Sequence, residues 1–406
     1  MTDYITNDNI IIFSPKYNNI LSQDIIKYSI IIFSNYELYN ETNDELIKYY
    51  KNCEKRKINN GKINYKFRFT FSEFNQPLDN LQSKCCFSNK TLRSCSCCTS
   101  TIRHISLSFD FNQPVDLLPN SITSLIFGHN FNQPVDLLPN SITHIVFGSN
   151  FNQPVNNLPN STTCINFGDN FNQPVDNLPN LITNLTFGYY FNQSIDNLPN
   201  SISNLTFGDK FNQSVNSLPN SISNLTFGYY FNQSIDNLPN SISNLTFGYH
   251  FNQSVDNLPD LSTYIKFGSN FNQPVNNLPD LIISLTFDDG FNKLVDNLPN
   301  SIVNLTFGHY FNQQVDNLPN SIVNLTFGFI FNQQVDNLPN SIVNLIFGFS
   351  FNQPIDNLPN SIVNLTFGNS FKKSINNLPK SLKKIKCHKE YECEYDYENI
   401  IIETYF

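Results

Sequence analysis

Alanine and tryptophan are absent from this chain of 406 residues, and methionine occurs once. Asn, Ile and Phe fill their place, a bias that reflects AT-rich codon usage and excludes no fold. Basic residues are also few: 24 Lys and Arg against 33 Asp and Glu give a net charge of −9. That balance argues against non-specific binding to nucleic acid or to an anionic membrane, because both need a basic surface. Long apolar runs are missing too. The longest, Ile10–Phe13 and Ile30–Phe33, are four residues each, whereas a membrane-spanning helix needs roughly 20. The opening MTDYITNDNI has no basic start leading into an apolar stretch, so no signal peptide is expected. The expected setting is therefore a reducing, cytoplasmic one. The many Asn-x-Ser/Thr triplets, such as Asn224-Leu225-Thr226, are by-products of a repeat rather than glycosylation acceptors.

Catalytic signatures are absent as well. The six histidines, His104, His129, His144, His250, His309 and His388, are scattered along the chain. The glycines recur at intervals of twenty and form no phosphate-binding loop. No nucleophile elbow or paired-carboxylate motif stands out. The expectation is a protein that is not an enzyme and needs no cofactor.

What the chain does have is a period. Copies of one twenty-residue unit begin at Phe111, Phe131, Phe151 and onward to Phe371, fourteen in all without an insertion. Numbering each copy from its first Phe, position 1 is always Phe, position 5 always Val or Ile, and positions 8 and 9 always Leu-Pro. Position 12 is Ile or Leu except at Thr162 and Ser262, position 15 is Leu or Ile, and position 17 is Phe except at Cys387. Six apolar positions therefore recur. Apolar residues at 15 and 17 alternate with a polar one, as in a short strand with one buried face. Gly at position 18 ends that strand in twelve copies. Leu-Pro-Asn-Ser at positions 8 to 11 is turn chemistry. Twenty residues leave no room for a helix with its loops. One coil buries too little to fold alone, so each must complete its core on its neighbours. The predicted fold is mainly β: a leucine-rich-repeat-like parallel solenoid of about 14 twenty-residue units.

The recurring F-N-Q-P-V-D-N-L-P-N-S-I-x-x-L-x-F-G resembles the FNIP repeat, a leucine-rich-repeat variant of social amoebae and amoeba-infecting giant viruses. The resemblance implies a repeat scaffold for protein–protein interaction, in the host cytoplasm if the source is viral. Some family members are similar to ubiquitin-ligase adaptors, with an F-box-like segment before the repeats. That implies an alternative role as a substrate-recruiting adaptor. Here the N-terminus lacks the Leu-Pro-x-Glu/Asp-Ile/Leu opening and offers only NILSQDIIKYSIIIFSN. A third alternative is a structural or particle-associated protein.

Four regions are expected: 1–65, with a helix-like stretch NDELIKYYKNCEKRK; 66–110, degenerate repeats; 111–387, the tandem repeats; and 388–406, a cap and tail. The lysines Lys383, Lys384 and Lys386 suit an exposed sheet edge that must not template aggregation. Candidate partner-binding residues sit at positions 19 and 20, which vary most between copies: Tyr189, Tyr190, Tyr229, Tyr230, Tyr249, Tyr310, Phe329 and Phe349. Loops on a rigid scaffold carry recognition, and exposed aromatics suit protein interfaces. Asn at position 14 and Thr at position 16 are expected to line the open face, where stacked Asn amides can bond one another as a ladder. Asp at position 6, as in Asp116, Asp196, Asp236 and Asp336, forms a solvated acidic ridge that caps the local turn. Cys85, Cys86, Cys95, Cys97 and Cys98, with His104, are candidate zinc ligands. Their C-C-x8-C-x-C-C spacing lacks the paired C-x2-C of a zinc site, so no metal is assigned.

Overall fold

The computed structural model describes residues 4–7, 10–13, 30–33, 64–69, 101–107, 109–118, 120–375, 377–389 and 400–405. They fall into two compact units, Met1–Ile202 and Ser203–Phe406. Both are parallel β-solenoids, and the chain makes about fourteen turns of twenty residues with no helix among the described residues. In the first unit, β1 (Tyr4–Asn7) runs antiparallel to β2 (Ile10–Phe13). Next come β3 (Ile30–Phe33), β4 (Asn64–Phe69), β5 (Thr101–Ser106), β6 (Ser124–Ile126), β7 (His144–Val146), β8 (Cys164–Asn166) and β9 (Asn184–Thr186). From β2 onward each strand pairs in parallel with the next. The second unit opens with β10 (Asn204–Thr206), and strands of three residues follow at intervals of twenty as far as β18 (Asn364–Thr366). Each pairs in parallel with its neighbour at a register of one coil, for example Leu225 with Leu245.

The coil follows from its sequence. Residue 15 of each copy points into the core, while its neighbours at 14 and 16 face outward, giving buried Leu245 between Asn244 and Thr246. Three tight turns close the rest. The Pro carbonyl at position 9 accepts from the N–H at position 12, as from Ile242 to Pro239 at 3.2 Å. The carbonyl at position 5 accepts from position 8, as from Leu238 to Ile235 at 3.3 Å. The carbonyl at position 18 accepts from the next Phe, as from Phe251 to Gly248 at 3.4 Å. Positions 19 and 20 are thus the two central residues of a β-turn. Their side chains leave the coil, and this is why they are free to vary.

The six apolar positions are buried in every coil described, with Leu378 of the last coil only half-buried. Phe at positions 1 and 17 builds two columns of rings. Phe247 lies 3.9 Å from Phe251, which opens the next copy, and 5.5 Å from Phe267, its counterpart one coil along, all three nearly parallel. Such offset stacks add to the hydrophobic gain of the buried rings. Thr162 and Ser262, which replace Ile at position 12, are fully buried and donate to the Ile142 and Ile242 carbonyls at 3.4 and 3.1 Å. A buried hydroxyl needs such a partner.

Gly at position 18 does more than end a strand. A Cβ built on Gly248 would lie 1.9 Å from the Gly228 carbonyl oxygen, and one on Gly328 would lie 1.7 Å from that of Gly308. Successive coils touch backbone to backbone there, so a side chain has no space.

The solenoid also begins before the recognisable repeats. Ile10–Phe13 and Ile30–Phe33 lie twenty residues apart and pair residue for residue, Ile10 with Ile30 through Phe13 with Phe33. The stretch expected to be helical, residues 43–57, lies outside the described residues. At the other end, β19 (Lys384–His388) pairs in parallel with β20 (Ile401–Tyr405). Lys384 Nζ meets Glu403 at 2.8 Å, and the Tyr405 hydroxyl donates to the Phe367 carbonyl at 2.7 Å. The last lysine-bearing strand is thereby covered by one more strand.

Candidate protein-interaction surface

The variable turn forms a ridge along each unit. All eight aromatics expected at the surface are exposed, between 36% and 54%. They are not independent side chains, however. One position is repeated a strand spacing of about 4.8 Å away in the next coil, so neighbouring rings stack. Tyr229 and Tyr249 stack at 4.8 Å, Tyr230 and His250 at 5.1 Å, and Lys210 Nζ sits 4.0 Å above the Tyr230 ring. Farther along, His309, Phe329 and Phe349 stack at 4.7 and 4.6 Å, with Tyr310 edge-on to His309 at 4.5 Å. In the first unit Tyr189 and Tyr190 meet edge to face at 4.7 Å. The rings hold one another in place, so their exposed edges are pre-ordered, and a surface of this kind has little side-chain entropy to lose on binding.

The open sheet face carries the expected Asn ladder in two runs. Asn224 Nδ2 donates to Asn204 Oδ1 at 2.6 Å and Asn244 Nδ2 to Asn224 Oδ1 at 2.5 Å. A second run links Asn304, Asn324, Asn344 and Asn364 at 2.5 to 2.6 Å. With each amide donating to the coil before it, this face is a structural clamp as well as a surface.

Three further ladders escaped sequence reasoning. Asn at position 2 accepts both the backbone N–H of position 2 and the Gln amide of position 3 from the next coil. Asn252 Oδ1 does so from Asn272 at 2.9 Å and from Gln273 at 3.2 Å. Ser at position 11 donates to the position 12 carbonyl one coil back, as Ser241 to Ile222 at 2.7 Å. Asn at position 7 donates to the Asp at position 6 one coil back, as Asn257 to Asp236 at 3.1 Å. The available signal was constancy: position 2 is Asn in thirteen copies, although nothing in a strand-and-turn pattern requires it.

The acidic ridge is accordingly an engaged one. Ser234 Oγ donates to Asp236 Oδ2 at 2.7 Å and the Asp236 N–H returns to Ser234 at 3.3 Å, which closes the local turn as expected. The bonds from Ser234 and Asn257 hold the Asp236 carboxyl below the usual carboxylate range. An open polar groove of about 850 Å³ runs beside this ridge along Asp296, Asn300, Asp316, Asn320 and Asp336. Of the candidate zinc ligands, His104 is half-buried in β5, and Cys85, Cys86, Cys95, Cys97 and Cys98 lie outside the described residues. Among the described residues no group of three or more His, Cys, Asp or Glu converges on a metal position. No helix among them is long and apolar enough to cross a membrane.

Comparison with known proteins places this coil. The family model described as FNIP Repeat matches eleven overlapping stretches that together run from residue 111 to residue 390. The chain belongs to the FNIP repeat family. Among solved structures, it is similar to the giant-virus protein CroV588, described as a novel circular LRR protein, at 33% identity and a TM-score of 0.73, covering 99% of this chain and 70% of that one. More distant are the functional domain of InlJ from Listeria monocytogenes (11% identity, TM-score 0.49, 66% of this chain and 63% of that one) and YopM from Yersinia enterocolitica (14%, 0.46, 71% and 72%). No curated protein matches. The FNIP motif residues Phe, Val, Leu-Pro, Ile, Leu and Phe are the ones that build the core. The family likeness therefore identifies the frame of the solenoid.

Proposed function

We propose that this FNIP protein is a non-enzymatic scaffold that binds another protein through the aromatic ridge at positions 19 and 20. The observation that carries the reading is the contrast within each coil. Core positions repeat almost without change, as does the Asn of position 2, while the two turn residues vary and hold stacked, exposed aromatics. Tyr189, Tyr190, Tyr229, Tyr230, Tyr249, Tyr310, Phe329 and Phe349 are the contact residues on this reading. The net charge of −9 favours a protein partner over nucleic acid or an anionic membrane. The setting proposed is the cytoplasm, the host's if the source is viral. No observation among the described residues adds weight to the ligase-adaptor or particle-associated alternatives.

The test replaces Tyr189, Tyr229 and Tyr249 with Ser. The side chains leave the coil at a turn, so circular dichroism is expected to be unchanged while capture of the partner from host cells weakens. Undiminished capture would overturn the assignment of the ridge.

A further inference from the structure

One pair of adjacent coils, residues 251–290, departs from the repeat on the outer side of β13 (Tyr264–Lys266) and β14 (Ser284–Thr286). Position 11, Ser in eleven copies, is Leu at 181, 261 and 281, and only the last two stand in adjacent coils. Position 14 is Tyr264 where the flanking ladders have Asn, and position 13 turns from Ser or Thr in the earlier coils of this unit to Ile283, the first and largest of an apolar run that goes on as Val303, Val323, Val343 and Val363. Leu261, Leu281 and Ile283 are about half exposed, and Tyr264 is 38% exposed. The strands pair with Tyr264 beside Ser284, and the Ile283 N–H donates to the Thr263 carbonyl at 2.8 Å, so the four residues lie on two directly neighbouring coils.

The leucines and Tyr264 give up an internal interaction and gain no burial. Ser241 and Ser301, on either side, donate to the Ile222 and Ile282 carbonyls at 2.7 and 2.6 Å, which a leucine cannot do. Tyr264 takes the place of the next amide, and the ladder from Asn204 ends at Asn244. A recess of about 350 Å³ opens beside the ring, floored by Asn224, Thr226, Asn244 and Thr246. Apolar side chains that cost internal bonds and remain in water are compensated by something outside the chain.

The surrounding charges indicate what that is. Position 10 is Asp in these two coils alone, at Asp260 and Asp280, and position 18 is Asp only at Asp288. Asp289 follows it. Four carboxylates therefore flank the apolar residues along the chain, Asp260 and Asp280 ahead of the two strands and Asp288 and Asp289 after β14, and Lys266 is the one Lys or Arg of these two coils. We propose that this face binds a short segment of a partner protein with an apolar centre flanked by Lys or Arg. The proposal rests on the scaffold reading above and names the partner's chemistry.

The test uses the full chain and a phage library of random dodecapeptides, followed by fluorescence anisotropy with the synthetic peptide of the leading clone. One variant restores the repeat's own residues at the apolar positions: Leu261→Ser, Tyr264→Asn, Leu281→Ser and Ile283→Ser. A second restores the charges: Asp260→Asn, Asp280→Asn and Asp288→Gly. Both regain internal fit and are expected to melt no lower than the parent protein. Selected peptides are expected to carry an apolar centre with basic flanks and to bind the first variant at least about tenfold more weakly, as loss of a central anchor does. On the second variant their binding should lose most of its salt dependence. Peptides that bind the first variant as tightly as the parent would overturn this site and leave the scaffold reading standing. Selected peptides rich in Asp or Glu would overturn the charge argument. A library that yields no binder would count against both the site and the scaffold reading.

Discussion

Gly248→Ala is a sharp test of how the coils are held together. On an exposed turn with an ordinary backbone, Gly→Ala usually stabilises by about 0.4–1 kcal/mol, because it restricts the unfolded chain. Here the geometry reverses the sign. The new Cβ would sit 1.9 Å from the Gly228 oxygen and 2.4 Å from its carbon. Ordinary contact needs about 3.4 Å or more, so the two coils must part by over an ångström on this side. Overpacking of this kind costs about 1–3 kcal/mol. The same displacement strains the bond from the His250 N–H to the Tyr229 carbonyl, now 2.9 Å, a bond worth about 0.5–1.5 kcal/mol. The expected net loss is about 2–4 kcal/mol. A stack of repeats need not unfold in one step, so the measurement is native-state hydrogen exchange coil by coil. Protection should fall in coils 211–270 and hold in coils 311–370. A variant as stable as the parent, or more stable, would refute the reasoning.

Asn252→Ala removes the acceptor of both the Asn272 N–H and the Gln273 amide; a loss of about 1–3 kcal/mol is expected from urea melts. Ser262→Ile restores the residue that fills this buried position in the neighbouring coils, and a gain of about 0.5–2 kcal/mol is expected by the same assay, as for other consensus changes. The Lys384 ammonium, which bonds Glu403 at 2.8 Å, holds that carboxyl below the usual glutamate range. A depressed carboxylate contributes stability at neutral pH that is lost as pH falls below the ordinary value of about 4.3 and through the lowered one. Glu403 side-chain NMR should therefore titrate below an ordinary glutamate, and Lys384→Met should return the midpoint to normal.

Periodicity made the core legible. Phe231, Ile235, Leu238, Ile242, Leu245 and Phe247 are all buried as the six-position pattern requires, because a core position tolerates few residue types. Asn232 and Gln233 were not read, and Ser241 was read as local turn chemistry, because nothing local shows their partners, which lie nineteen to twenty-one residues away, one coil along. Gly at position 18 was read as a strand end for the same reason, since the carbonyl that excludes a side chain belongs to the previous coil. Ile10–Phe13 and Ile30–Phe33 carried the right spacing, but their coils have lost the Phe-Asn-Gln and Leu-Pro marks. The aromatics at positions 19 and 20 were readable as exposed. Their stacking was not, because it depends on which residue occupies the same turn one coil away.

The central claim is that recognition lies where the coils differ, while the positions they share hold the solenoid together. The most direct measurement compares partners captured by the parent protein, by a ridge variant (Tyr229→Ser, Tyr249→Ser, Phe329→Ser, Phe349→Ser) and by a ladder variant (Asn324→Ser, Asn344→Ser), each quantified by mass spectrometry beside its melting curve. The account predicts that the ridge variant keeps its fold and loses partners, and that the ladder variant keeps its partners and melts earlier. Partners lost from the ladder variant at an unchanged melting temperature, with the ridge variant still bound, would contradict it.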